Sequence, residues 1–580
     1  MPLGDAAVAI ELGRTMDPVT NARIHALDRA LTQADLPGVV ELVPTYRSLL
    51  VHYDPLVVAY EELGAGLRGI VARAPGNALP VNATEAEASA DASAAVVEVP
   101  VVYGGEWGPD LADVARHAGL SEEEVVRRHA AGEYRVAMLG FAPGFPYLMG
   151  MDPAIACPRL ATPRVRVPGG SVGIADTQTG IYPFAMPGGW RLIGRTALSL
   201  FDPLRDPPAL LRPGSKVRFV PAEPRSLGTF PTAALPVGTA SGAGALSARS
   251  LRVIDPGLLA TVQDGGRRGY QRYGVPPSGA ADGVALAVGN LAVGNEPLSA
   301  AIEVTAGAAE FEFIAPSLLA ITGATVEAVL SGRPVPPATP LDAGPGDRLR
   351  LSLPTAGLRA YVCLAGGVAV PEVLGSRSTY LPAGFGGFEG RALRGGDVLP
   401  LGSARARHPR GAEPVRIDLP GDLFSATTGR TLELPFLPGG QWDDFPLDAR
   451  QAFLDRSWRV SHQSDRIGLR LEGEPLDGGS AGIGFVSDGT VTGAIQVAGD
   501  GLPIALLIDR QTTGGYPKLG AIASVALHLL GQAQPGDELA FRPVSIEEAH
   551  RALRALDDRL GQLVGARRAV MRVQRADTAR

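Results

Sequence analysis

Lysine is almost missing from this chain of 580 residues: Lys216 and Lys518 are the only two, so 51 of its 53 basic residues are arginine. A GC-rich coding sequence explains the bias. A lysine that persists against it marks a place where arginine would not serve, because a compact ammonium and a planar guanidinium are not interchangeable. Cysteine is as rare: Cys157 and Cys363 lie far apart and form no metal-ligand or redox spacing. No apolar run reaches the roughly 18 residues of a membrane span, and Met1-Pro2-Leu3-Gly4-Asp5 is not a basic segment followed by an apolar one. No membrane association and a cytoplasmic location are therefore expected. With net charge −7 and no basic stripe, a nucleic-acid partner is not expected either. GxxxxGK[ST], HExxH and CxxC are absent, so no metal site is expected, and no GxSxG nucleophile elbow is evident. Ser480 in GGSAGIG is flanked by glycine but lacks the wider setting of an amidase.

What the chain has in quantity is glycine (74) and proline (50), with 45% hydrophobic residues and only 6% aromatics. Such composition, without collagen-like period or low complexity, predicts a turn-rich, mainly β protein. The length predicts roughly three to five domains. Two small-residue, aperiodic stretches, 74–95 and 222–250, read as linkers. The remaining pieces are 1–73, a small α+β domain; 96–221, a β-barrel-like domain; and two β-rich domains, 251–415 and 416–580, the second ending in a helix.

Local signals support this division. Asn21–Gln33 carries apolar residues at helical spacing, and Val39–Val43 and Ser48–Tyr53 read as strands. Asp110–His117 and Ser121–Ala130 read as short helices, with Gly119 as a C-cap and Ser121 and Glu124 as a capping box. The second helix opens Glu122-Glu123-Glu124, a poor face for phosphates, which argues against a DNA-binding pair. Three Pro-Gly turns, at Pro213-Gly214, Pro345-Gly346 and Pro535-Gly536, each launch a strand. Together with an echo between QTGIYP (178–183) and QTTGGYP (511–517), they predict related β-barrel units.

The candidate chemistry falls in four places. In the block 140–195, Arg164, Gln178, Tyr182, Trp190 and Arg195 are ligand-facing candidates, the alternative being turn and core residues of a compact barrel. His129, at a helix end, either complements the helix C-terminus or transfers protons. Asp264, Arg267, Asp282, Asp465 and Arg466 are polar residues in apolar surroundings, satisfied by Asp–Arg pairing or by a ligand. Finally, Pro503–Asp509 reads as a buried strand, and Arg510–Tyr516 as a glycine-rich loop. Pro517 then opens an expected helix through Ile522, Val525, Ala526, Leu529 and Leu530. Lys518 would then sit in a first helical turn, where the dipole opposes a cation unless an anion binds there.

VPTYRSLLVHYDP (43–55) and the block 140–195 resemble the family of allophanate hydrolase subunit 1, equally the B subunit of 5-oxoprolinase, which includes kinase inhibitors of sporulation. From Leu251 onward the chain resembles the companion family of allophanate hydrolase subunit 2, equally the C subunit of 5-oxoprolinase. The carriers are TVQDGGRRGYQRYGVPPSGAAD, LGSRST, SDRIGLRLEG, SDGTVTGAIQV and DRQTTGGYPK. One departure is Gly169 in PGGS, where the family has alanine. The resemblance implies tandem cyclophilin-like β-barrel domains. It also implies one of three roles for a B/C fusion. The first is an ATP-dependent 5-oxoprolinase, opening 5-oxoproline to glutamate with Mg2+ and a partner A subunit of LamB/YcsF type. The second is a biotin-dependent carboxyltransferase acting on a small amide, like that of urea amidolyase. The third is a kinase-inhibitor-like binding protein. The absence of biotin carboxylase, biotinyl and amidase domains favours the first; an oligomer is compatible with each. For the site, Lys518, Arg164 and Arg195 are assigned to anion binding. Gln511, Gln178 and Asp509 would orient the amide, and His129 or Asp465 would move protons. Gln496, Thr512, Gly514, Gly515 and Tyr516 complete the candidate lining.

Overall fold

The computed structural model describes residues 1–73, 96–226, 249–403, 431–476 and 486–577, without side chains beyond 563. Ser480 and the expected linker 74–95 lie outside these residues, as do 227–248 of the second expected linker.

The chain opens with a three-stranded sheet, in the order Ala7–Glu11, Ser48–Tyr53, Val39–Pro44, and the helix Pro18–Ala34. Asp17 caps that helix by accepting from the Thr20 amide, and Ile24, Leu27 and Leu31 bury one face against the sheet. The helices Leu111–Ala118 and Glu122–Ala131 form as read. Gly119 turns left-handed between them, and the Ser121 hydroxyl caps the second.

Two closed seven-stranded barrels dominate the molecule, one within 97–221 and one within 431–543. Their connectivity is the same. In each, the first strand (Val97–Tyr103; Thr431–Pro438) pairs parallel with the last (Lys216–Pro221; Glu538–Pro543). It pairs antiparallel with the one before that (Arg191–Arg195; Lys518–Ile522). Each barrel also carries a two-stranded ribbon, Arg164–Val167 with Met186–Gly188 and Asp488–Gly489 with Thr513–Gly514. The ribbon register sets Arg164 opposite Gly188 and Asp488 opposite Gly514, so Arg164 and Asp488 hold equivalent places. The echo that predicted related units is not itself the structural equivalence. Gln178–Ile181 is a barrel strand, whereas Gln511–Pro517 is a loop and ribbon leading into a strand.

Between the barrels, a six-stranded and a five-stranded sheet close over one core of Val, Leu, Ile and Phe. The helix Gly283–Ala292 covers the five-stranded sheet, and the C-terminal helix Ile546–Asp577 packs on that helix.

The expected helix beginning at Pro517 does not form. Lys518–Ile522 is a barrel strand, paired with both Thr431–Pro438 and Ala494–Val497. Helical spacing at 522–530 arises from a strand end, one 3₁₀ turn and the six-residue helix Leu527–Gln532. Closing the barrel gains two ladders of hydrogen bonds for this segment, more than one amphipathic turn could offer.

A buried ion network joins the paired sheets to the second barrel. Arg466 donates to Asp509 Oδ2 at 2.8 Å, to Glu303 Oε1 at 2.5 Å and to the Gly279 carbonyl at 2.6 Å. Ser278 and Tyr361 donate to Asp509 Oδ1 and Glu303 Oε2, and Arg359 lies 3.7 Å from Glu303. These charges compensate one another, so burial raises no net cost beyond desolvation. Burial works to raise the pKa of the Glu303 carboxyl, but Arg466 and Arg359 outweigh it and hold the group below its usual range. Glu303→Gln would leave two buried guanidinium groups sharing one carboxylate, and is expected to destabilise the protein by about 3–5 kcal/mol in urea unfolding.

Candidate functional site

Three parts of the molecule converge on one polar junction: the N-terminal hairpin, the end of the first barrel and the ribbon of the second. The backbone allows the approach. A Cβ on Gly140, in the first barrel, would overlap the Thr513 hydroxyl of the second. Asp488 ties the hairpin in, since its Oδ1 accepts from the Thr45 hydroxyl at 3.2 Å, from the Ser48 hydroxyl and from the Gly489 amide at 2.8 Å.

Opposite Asp488 lies Lys518, only 4% exposed. Its amide donates to Gln441 Oε1 at 2.7 Å, and its strand register places it against Gln496. Burial lowers the pKa of its ammonium, while Asp488 and Glu11 counteract and Arg47 adds to the shift. The lysine thus has a carboxylate for its counter-charge and no helix dipole, which corrects the first-turn reading. An arginine fork here would have to bury five donors where the neighbours supply few acceptors.

Beside it stands a pair of amides. Gln511 Nε2 donates to Gln496 Oε1 at 3.3 Å, and Gln496 Nε2 is buried with no partner among the described residues. An unused buried donor costs free energy unless a ligand or water accepts from it. Gly514 makes the space: a Cβ there would lie 2.7 Å from Gln496 Nε2 and 3.2 Å from Gln511 Nε2. On the first-barrel side, Tyr46 donates to Gln178 Oε1 at 2.7 Å, and Tyr147 faces Ser487 and Thr513. Trp190 and Phe145 pack edge-on around Tyr147 and complete an apolar wall. The junction is therefore rich in neutral donors, with one ammonium and one carboxylate at its side. It suits a small polar molecule with a carbonyl to polarise.

Gln178, Trp190, Gln496, Gln511, Gly514, Gly515 and Lys518 meet at this junction. Thr512 is buried beside it with an unpartnered hydroxyl, and Tyr516 is exposed at 46%. The other candidates lie elsewhere. Arg164 is paired with Asp110 at 2.7 Å, and Arg195 donates to the Gly169 carbonyl at 2.7 Å. Tyr182 packs in the apolar cluster against Phe145. Asp509 and Arg466 belong to the buried ion network, both carboxylate oxygens of Asp509 being engaged. Asp465 caps the amides of Ile467 and Gly468. Asp264 holds a turn through Gly266, Ser376 and Arg377, and Arg267 donates to the Ser378 carbonyl beneath Phe385. Asp282 caps the helix at 283 and accepts from Gln532.

His129 is fully buried inside the first barrel, its ring tilted against Phe219. Thr179 spends its proton on the Gly173 carbonyl, so it accepts from His129 Nε2 at 3.0 Å; Nδ1 then accepts from Tyr103 at 2.8 Å. This neutral tautomer is locked away from the junction.

Residue-by-residue reading missed Tyr46, Ser48, Tyr147, Ser487 and Asp488, although each lies inside a motif that carried the family resemblance. Gln441 had no such signal.

Known families cover both halves of the chain. "Carboxyltransferase domain, subdomain C and D" matches residues 1–211, and "Carboxyltransferase domain, subdomain A and B" matches residues 273–543. The chain belongs to the carboxyltransferase-domain family of the 5-oxoprolinase B and C subunits. It is 39% identical to the 5-oxoprolinase C subunit of Escherichia coli, over 52% of this chain and 94% of that protein. It is 46% identical to the 5-oxoprolinase B subunit of Bacillus subtilis, over 38% of this chain and 90% of that one. The crystal structure of TTHA0988 superposes with a TM-score of 0.77 at 35% identity, covering 92% of this chain and 99% of that one. This pattern fits a B/C fusion. The shared family also accounts for the mainly β fold with two barrels.

Burial pushes the pKa of His129 down to about 3 and that of His25 down to about 4. Both are neutral when folded and titrate near 6.5 when unfolded, so their contribution is present above about pH 6.5 and is lost on acidification toward the folded values. Unfolding stability is expected to fall by about 1.5 kcal/mol per histidine between pH 6.5 and 5. His129→Gln should flatten that slope in urea titrations at the two pH values.

Proposed function

We propose that the chain is the B/C component of an ATP-dependent 5-oxoprolinase, which opens 5-oxoproline to glutamate together with a LamB/YcsF-type A subunit. The observation that supports this reading most directly is the resemblance of the chain to both 5-oxoprolinase subunits, each over nine-tenths or more of its own length. In this reading the neutral donors Gln496 and Gln511 hold the lactam carbonyl, and Lys518 meets the carboxylate that 5-oxoproline carries. Opening the lactam to glutamate adds water across its C–N bond, which requires the carbonyl to be polarised, and fixed amide donors do that without reorganising.

The junction does not fit Mg-ATP. It offers a single ammonium to a triphosphate that carries several negative charges, and no group of three His, Cys, Asp or Glu side chains among the described residues could hold a metal ion. The proposal therefore gives ATP and Mg2+ to the partner and carries no step through them on this chain.

A second reading has its own support. The matching families are carboxyltransferase domains, and the chain is 32% identical to urea amidolyase of Lachancea kluyveri over 53% of its own length. That relative is spanned over only 18% of its length. The same amide pair would then hold an amide that accepts a carboxyl group from carboxybiotin, with biotin carried by separate proteins.

Glutamate release from 5-oxoproline and ATP, by the purified chain with its LamB/YcsF-type partner, separates the two readings. Partner-dependent and ATP-dependent glutamate supports the first; no turnover by a folded pair, with carboxyl transfer from carboxybiotin instead, supports the second. Under the first reading, Lys518→Met is expected to raise KM for 5-oxoproline at least tenfold, since the lost pairing with a buried carboxylate exceeds about 1.4 kcal/mol. Gly514→Ala is expected to lower kcat/KM by a similar factor, by displacing the Gln496 amide.

A further inference from the structure

A cavity of about 180 Å3, with apolar walls and a few polar groups, lies between the N-terminal segment and the second barrel. It is lined by Asp5, His52, Gln271, Thr492 and Arg510, among others, and by none of the amide donors of the junction. Arg510 is 1% exposed and has no carboxylate in ion-pair range among the described residues. Its acceptors are neutral: Thr492 from Nε, Thr490 and the Gln511 carbonyl from one terminal nitrogen, and Gln271 Oε1, at 2.6 Å, from the other. That last nitrogen carries two protons and uses one, so an N–H remains. Asp5 is also 1% exposed; its Oδ1 accepts from the Ser524 amide and hydroxyl, and its Oδ2 has no partner among the described residues. His52 Nε2 is buried and, among the described residues, unpartnered as well.

The cavity thus presents one spare donor on a cationic group and two unfilled polar atoms, one of them anionic. A free anion would meet Asp5, and Glu41 stands behind Gln271. A free cation would meet Arg510. A neutral molecule with a carbonyl and an NH2 group answers both sides at once. We propose that this cavity binds a small neutral amide or ureide, at a site separate from the junction. Its carbonyl accepts from Arg510, and its nitrogen donates to Asp5 Oδ2 and His52 Nε2. Arg510 also holds the Gln511 carbonyl, so the occupant is linked to the loop that carries a junction side chain.

Isothermal titration of the full chain tests this, with acetamide, acetate and inorganic phosphate as probes. Acetamide is expected to bind saturably and more tightly than either anion. Asp5→Asn, which puts a donor where the ligand donates, is expected to weaken it at least tenfold; Lys518→Met at the junction should leave it unchanged. His52→Leu, which keeps Asp5 and its bonds to Ser524, should also weaken it and serves if Asp5→Asn does not fold. Tighter binding of acetate or phosphate, unchanged affinity in folded Asp5→Asn or His52→Leu, loss in Lys518→Met, or no saturable acetamide binding would each overturn the proposal.

Discussion

A buried carboxylate, Asp488, holds the junction together. Its oxygen takes hydroxyl protons from Thr45 and Ser48 of the N-terminal hairpin and a proton from its own ribbon, and its charge faces Lys518. A charge removed from water must be paired and hydrogen-bonded, so hairpin, ribbon and barrel strand are bound to one another's positions. Gln496, Gln511, Gln178 and Tyr147 come near one another because those elements meet there. The donors themselves are neutral, with the opposite charges of Asp488 and Lys518 at their side.

The two barrels show how one topology serves two purposes. The first ribbon presents Arg164, paired outward with Asp110, and its following strand begins at Arg191. At the matching ribbon place the second barrel has Asp488, while Lys518, opposite Gln496, takes the place of Leu192, opposite Gly173. The sign of the ribbon charge is reversed, and Asp488 is buried against the hairpin instead of bridging to the first barrel's own helix. Equivalent backbone, different burial and opposite charge leave one ribbon structural and the other at the junction.

The ion network of Arg466, Glu303 and Asp509 does comparable work between the second barrel and the paired sheets. It fixes the paired sheets against that barrel, and Asp509 adjoins Arg510, whose side chain reaches both Gln271 and the Gln511 carbonyl. Residues that read as candidate acids and bases therefore serve mainly to place the loop 509–514. In sequence, an Asp–Arg pair that binds a ligand and one that binds itself look the same, because the difference lies in which oxygen atoms are already taken.

Short windows of sequence were enough for the mainly β character, the helices at 18–34, 111–118 and 122–131, the Pro-Gly turns that launch strands, and the family. These rest on local physics: side-chain period, caps, positive-φ glycines and motifs that are contiguous in the chain. Closure of the second barrel is what puts Lys518 in a strand, because a barrel strand is defined by its partners, here at 431–438 and 494–497. Packing likewise seals His129 in the first barrel and brings Asp488, Tyr46 and Tyr147 to a site shared with Gln496. Burial and pairing between residues hundreds of positions apart depend on how the chain closes, and no window along the sequence contains both members of such a pair.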